Sequence, residues 1–326
     1  MKTLILFVIG LFPIGILAQV IEVDSVLLAQ RRDSLDGWRA GGQFSLTGTN
    51  VGLVNWAAGG QNSLSVNSGF RLYANLRKDS VTWDNSADVN YGLMRQGESG
   101  WLKTDDRIDF NSKFSSRATK IWYYAALINF KTQMTEGYNY PNDSLKISTF
   151  FSPAYTLGAF GMDCKPDQNF SIFMAPLTSK LTFVGNQDLA NAGAFGVNKA
   201  ILDSSGAIVT PGARFRAELG GYIRSQFKVN FAENLCFTSK LDLFTNYLHN
   251  PQNIDVNWEA LLDVKLWKFL TVTLFTQLIY DDDVDITIYD ESGNVIGKGP
   301  RLQFRHMTGL GLTWKFDRSP KIIDEN

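Results

Sequence analysis

Histidine occurs only twice in the 326-residue chain, as His249 and His306, so imidazole chemistry has two places to act. His249 precedes Asn250-Pro251, a turn-forming pair, and reads as a solvated loop residue. His306 alternates with Leu302, Phe304, Leu310 and Leu312 and stands two residues before Thr308. A histidine and a hydroxyl on one strand face are half of a hydrolytic dyad of the kind lipid-hydrolysing barrels use. Here the hydroxyl belongs to threonine rather than serine, and no Asn or Asp is placed to orient the ring. An amphipathic side chain at a membrane interface accounts for His306 more simply. No catalytic residue is assigned, and the chain is not expected to be an enzyme.

Acidic residues cluster once, in Asp281-Asp282-Asp283 with Asp285. Hard cations take several carboxylate oxygens, so this run could hold calcium or bridge to lipid phosphates. Solvated charge is the alternative, and no metal or cofactor is assigned. Cys164 and Cys236 fall on strands that are not sequence neighbours, so two free thiols are expected. No HExxH, CxxC, GxSxG or phosphate-binding glycine loop occurs.

The largest set of chemically capable residues is a charged strand face. Arg71, Arg107, Arg214, Arg216, Arg224 and Arg305, with Lys113, Lys228, Lys240, Lys265 and Lys315, share a parity with Asp84, Asp88, Asp109, Glu218, Asp242, Glu259 and Asp263. Both signs on one face suggest cross-strand ion pairs. An open ion-selective pore would favour one sign.

The elements that carry these charges alternate with period two. Leu64, Val66, Ser68, Phe70, Leu72, Ala74 and Leu76 oppose Ser65, Asn67, Gly69, Arg71, Tyr73 and Asn75. That is a half-buried β-strand. The pattern recurs about twelve times, centred near 38–47, 62–77, 80–96, 105–118, 120–134, 149–163, 169–184, 212–231, 234–248, 254–267, 269–281 and 300–316. Phase is unclear in 120–134 and 149–184, where Pro153 and Pro176 suggest bulges, edges or turns. Short connections such as Arg77 to Ser80 and Ala232 to Asn234 alternate with long ones at 48–61, 97–104, 135–148, 185–211, 249–253 and 282–299. Such alternation is that of an outer-membrane barrel. The loops at 185–211 and 282–299 each contain a hairpin pattern that should extend strand pairs beyond the membrane.

The fold expected is therefore all-β: a transmembrane antiparallel up-and-down β-barrel of about 12 strands with both termini periplasmic. Residues 1–18 read as a signal peptide, with Met1-Lys2 before an apolar run and Ala18-Gln19 as the cleavage site. A periplasmic leader (19–37), the barrel (38–316) and a periplasmic tail (317–326) follow. A net charge of −1 argues against nucleic-acid binding, and 19% charged with 13% aromatic residues suits contact with lipid.

Asn55-Trp56-Ala57-Ala58-Gly59-Gly60, between a glycine-rich first strand and a long amphipathic second one, resembles the start of a Bacteroidota outer-membrane β-barrel family of unknown function. The resemblance runs over roughly 38–316 and implies compartment and fold, with no activity. Three roles stay open at this stage. The first is a structural or interaction subunit of an envelope assembly, contacting outer-membrane lipid and another envelope protein through the outer hairpins. The second is a narrow passive channel for small solutes or anions. The third, a lipid-modifying enzyme, is the least supported.

Overall fold

The computed structural model describes residues 36–51, 62–98, 100–139, 142–167, 169–289 and 295–318. The expected signal peptide, most of the leader, the Asn55–Gly60 stretch and the tail from 319 onward lie outside the described residues.

Twelve strands close into one barrel: β1 (Gly37–Val51), β2 (Ser63–Lys78), β3 (Val81–Gln96), β4 (Leu102–Arg117), β5 (Trp122–Thr132), β6 (Ala154–Cys164), β7 (Phe170–Phe183), β8 (Phe215–Ala232), β9 (Leu235–Asn246), β10 (Asp255–Lys265), β11 (Leu270–Tyr280) and β12 (Gln303–Arg318). Each strand pairs antiparallel with its sequence neighbours, and β1 closes on β12 through pairs such as Phe44↔Trp314. All twelve expected strands are present. Closure leaves no sheet edge to satisfy.

Even parity on β2 (Leu64, Val66, Phe70, Leu72) and odd parity on β8 (Phe215, Leu219, Ile223, Phe227) put large apolar side chains outside, where they remain exposed. The opposite parity buries Ser65, Asn67, Arg71 and Asn75, and Glu218, Arg224 and Gln226. The barrel is therefore polar within and apolar without. Trp38, Trp83 and Trp314 stand outside near the end of the barrel that carries the short turns, and Trp314 stacks on Phe44 with ring centroids 5.9 Å apart. Trp258 lies toward the other end.

Both described chain ends lie at the short-turn end. The long connections gather at the other, the loop end, where three two-stranded sheets form. They pair Gly137–Asn139 with Asn142–Ser148, Ile201–Leu202 with Ile208–Thr210, and Asp285–Tyr289 with Val295–Pro300. The first of these was not expected. The other two were expected to lengthen the barrel strands but are independent sheets, because residues 281–284 and 184–200 leave the wall before pairing resumes. The short helix α1 (Gln187–Asn191), capped by Asn186 through Leu189 N (3.0 Å), packs Leu189 and Ala190 against Val184 and Val197.

Phase fails where the proline signal warned of it. Tyr222 pairs with Ala175 and Gly220 with Thr178, so Gly221 faces two residues, Pro176 and Leu177. The bulge removes the need for a proline N–H. It also reverses inward parity along β7, from Phe173 and Ala175 to Thr178 and Thr182. Pro153 precedes β6 in a turn.

Candidate functional site

Charged groups converge in the lumen, and it is occupied by side chains. On one side Arg71 pairs with Asp88, and Arg77 with Asp84 (2.5 Å). Lys113 of β4 reaches past β5 to Asp163 of β6 (2.8 Å), which also takes Lys165 (3.2 Å). Asp109 accepts from Asn129 (2.7 Å) and faces Lys131 (3.5 Å). Across the barrel Arg224 donates to Asp242 through Nε (2.7 Å), and the Tyr222 hydroxyl donates to the same carboxylate (2.6 Å). Lys240 lies between Asp242 (3.7 Å) and Glu259 (4.0 Å), and Gln277 Nε2 donates to Glu259 (3.2 Å). Asp263 accepts from Thr273 (2.6 Å).

The two sides meet. Arg224 of β8 reaches Asn111 of β4 at 3.5 Å, four strands round the ring. Arg107 of β4 lies within the electrostatic influence of Glu259 on β10, six strands away in a ring of twelve and so directly opposite. The charged side chains are correspondingly closed to water: at mid-lumen Glu259 is 5% and Arg224 6% accessible, and toward the short-turn end Lys113 is 7% and Asp163 0% accessible.

Beside this network lies an apolar cluster within the lumen: Ala125, Leu127, Ala159, Phe173, Ala175, Tyr222 and Phe244. Phe173 meets the Tyr222 ring edge-on at 6.3 Å. Cross-strand ion pairs were expected on the inner face, whereas an apolar cluster there was not. Leu127 and Phe173 were missed because β5 to β7 carry the ambiguous phase, and Phe244 of β9 because an apolar residue at an inward position has no sequence mark of its own.

At the loop end a second charged cluster forms. Lys180 lies 2.9 Å from Asp255, 3.5 Å from Asp281 and 3.9 Å from Glu218. Arg216 bonds Glu218 (3.1 Å), pairs with Asp283 and donates to the Gly196 carbonyl (3.0 Å). The aspartate run therefore diverges. Asp281 faces Lys180, Asp283 faces Arg216, and Asp282 accepts from Asn253 (2.5 Å) and Tyr280 (3.4 Å). The Asp285 side chain lies outside the described ones. Among the described residues no group of three His, Cys, Asp or Glu is arranged to hold a metal.

Two of the expected lumen residues need separate mention. Arg214 was expected on the inner face of β8, but it precedes that strand, is exposed and donates to the Val184 carbonyl (3.3 Å) at the rim. Its parity was right, but the strand begins one residue later. Arg305 lies on β12, and its side chain is outside the described ones. Lys180, which sequence alternation did not select, became inward-facing through the Pro176 bulge. His306 and Thr308 are both exposed, with the Phe304 and His306 rings 5.8 Å apart. His249 lies in the exposed turn after β9, and Cys164 and Cys236 are free thiols.

A closed, twelve-stranded antiparallel barrel with a polar interior and an apolar outer wall is thus the class this chain falls in. A family profile described as "Protein of unknown function (DUF3078)" matches residues 48–138, from the end of β1 through β5. Among curated proteins none matches. Similar solved structures include an outer membrane channel from Pseudomonas putida F1, at 9% identity and a TM-score of 0.41, covering 91% of this chain and all of that one. The translocator domain of the autotransporter NalP from Neisseria meningitidis is similar at 9% identity and a TM-score of 0.37, covering 90% and 92%. The Pseudomonas putida toluene transporter TodX is similar at 8% and 0.29, covering 86% and 89%.

Proposed function

We propose that the chain is an integral outer-membrane barrel of a Bacteroidota-type envelope, with a side-chain-filled lumen, acting as a structural or interaction subunit of an envelope assembly. The membrane reading rests on the inverted polarity of the wall. Phe160 is 58% and Ile128 55% exposed on the outside, while Asp163 and Lys113 are buried inside. Large apolar side chains stand exposed on β1 to β8, β11 and β12, and contiguous exposed apolar surface of that kind marks contact with a membrane or a partner. Both described chain ends share the short-turn end, the periplasmic side in such barrels. The leader and tail then lie in the periplasm, the segment before them is a cleaved signal peptide, and the three hairpins face outward to meet a partner. No catalysis is assigned to His306.

The observation that carries the filled-lumen reading is the near-complete burial of charged side chains both at mid-barrel, Arg224 and Glu259, and toward the short-turn end, Lys113 and Asp163. An open, water-filled pore would leave those groups accessible. Planar-bilayer recording should therefore show little conductance, and purification in mild detergent should retain a partner protein. Large steady conductance would replace this reading with that of a narrow passive channel.

A further inference from the structure

The wall is least regular at the β7 bulge. Gly221 faces Pro176 and Leu177 on one side of β7, and Gly161 faces Ala175 and Pro176 on the other. Ladder pairing is thus interrupted on both sides at the same level. A Cβ on Gly161 would stand 2.0 Å from the Met174 carbonyl oxygen, so the backbones come together there only because the residue is glycine. The bare backbone at Gly221 lets Tyr247 fold down the outside of the barrel, its hydroxyl 2.6 Å from where a Cβ would be.

The result is a groove of about 310 Å³ on the outer wall. Its sides are Met174, Pro176, Ile223 and Leu243, with Tyr247 and Ile254 at the loop end. No charged residue lines it. The hydroxyl of Thr245, also at its border, is engaged with the Pro251 carbonyl (2.7 Å). Ala175, Tyr222 and Phe244 border the groove as well, and these belong to the apolar cluster of the lumen. Here the wall is apolar on both faces.

We infer that this groove is a specific seat for one acyl chain of an outer-leaflet lipid. The inference rests on the membrane reading above. The groove is continuous with the lipid-facing belt, so hydrocarbon is what meets it. Its volume lies at the lower end of small-molecule sites, suiting part of a chain rather than a whole lipid. Tyr247 and Ile254 place its upper end just beyond β9 and β10, at the level where a chain entering from the outer leaflet begins.

The test is native mass spectrometry of the full-length protein, delipidated in detergent and titrated with 1-palmitoyl lysophosphatidylethanolamine. One bound copy should survive activation that strips all others. Ile223→Trp with Leu243→Trp fills the groove and should lower the retained fraction about tenfold, the effect of losing roughly two buried methylenes. Leu310→Trp, elsewhere on the belt, should retain lipid as wild type does. Each protein is first checked for faster gel migration unboiled than boiled. If the double variant does not fold, Ile254→Trp, which lies outside the strands, takes its place with the same expected loss. Equal retention in the filled variant, or no preferred single copy on a folded wild type, overturns the seat. Wild type that stays soluble without detergent overturns the membrane reading instead.

Discussion

Removal of the Asp242 carboxylate distinguishes a filled lumen from a wet one by energy alone. Asp242 accepts from the Tyr222 hydroxyl at 2.6 Å and from Arg224 Nε at 2.7 Å and Nη2 at 3.3 Å, and faces Lys240 at 3.7 Å. Its side chain is 11% accessible, and those of Arg224 and Lys240 are 6% and 7%. Asp242→Ala leaves two cations and a hydroxyl in a confined space without their acceptor. Breaking a buried pair from one side costs about 3–5 kcal/mol. Arg224→Met should cost less, about 1.5–3 kcal/mol, because Asp242 keeps Tyr222 and Lys240. The double variant should then be more stable than the sum of the two predicts, with a coupling of about 2 kcal/mol. In a water-filled lumen the same pair would be worth about 0–1 kcal/mol. The measurement is reversible unfolding in urea, in lipid vesicles, followed by tryptophan fluorescence. An Asp242→Ala cost below about 1 kcal/mol, with no coupling to Arg224, would refute the dry, side-chain-filled interior.

Further outcomes follow from the same geometry. Replacing Arg224 and Lys240 together by Ala should raise single-channel conductance above a near-silent wild type, since both side chains lie in the cross-section; an unchanged trace would count against a plug. A tag inserted after Ser205 should be reached by antibody on whole cells and one after Asp79 should not; the reverse would invert the orientation. The Asp203 carboxylate is held below its usual range by hydrogen bonds from the Ser205 hydroxyl (2.6 Å) and from the backbone N–H groups of Ala207 and Ser205. A lowered pKa means this tie is complete above the ordinary value of 3.8 and is lost as pH falls through the folded one. Amide exchange at Ser205 and Ala207, corrected for intrinsic rate, should therefore lose protection only in strong acid, and pH-independent protection would contradict the tie. His306→Ala should leave fold and membrane insertion unchanged; a phospholipase activity lost in that variant would reinstate the dyad.

The sequence by itself determined what depends on local alternation. Period two survives one residue at a time, so β2, β3 and β8 and their inward charges Arg71, Asp88, Glu218 and Arg224 were legible without coordinates. The short and long connections were legible for the same reason, because turn chemistry is local. Ring closure followed from the count of strands and from the need of backbone groups in lipid for internal partners. Contacts between distant strands were not legible. That Lys113 answers Asp163, that Arg224 meets Asn111, and that three consecutive aspartates turn to separate partners depend on strand order and register around the ring. The Pro176 bulge decided the rest. A proline marks that pairing must fail nearby, but whether one residue or two are absorbed sets the inward parity of everything after it. That choice turned Lys180 into the lumen on the same side as Phe173, despite their opposite parity, and opened the groove on the outer wall. It is made by the registers of β6 and β8 on either side, which no stretch of β7 alone contains.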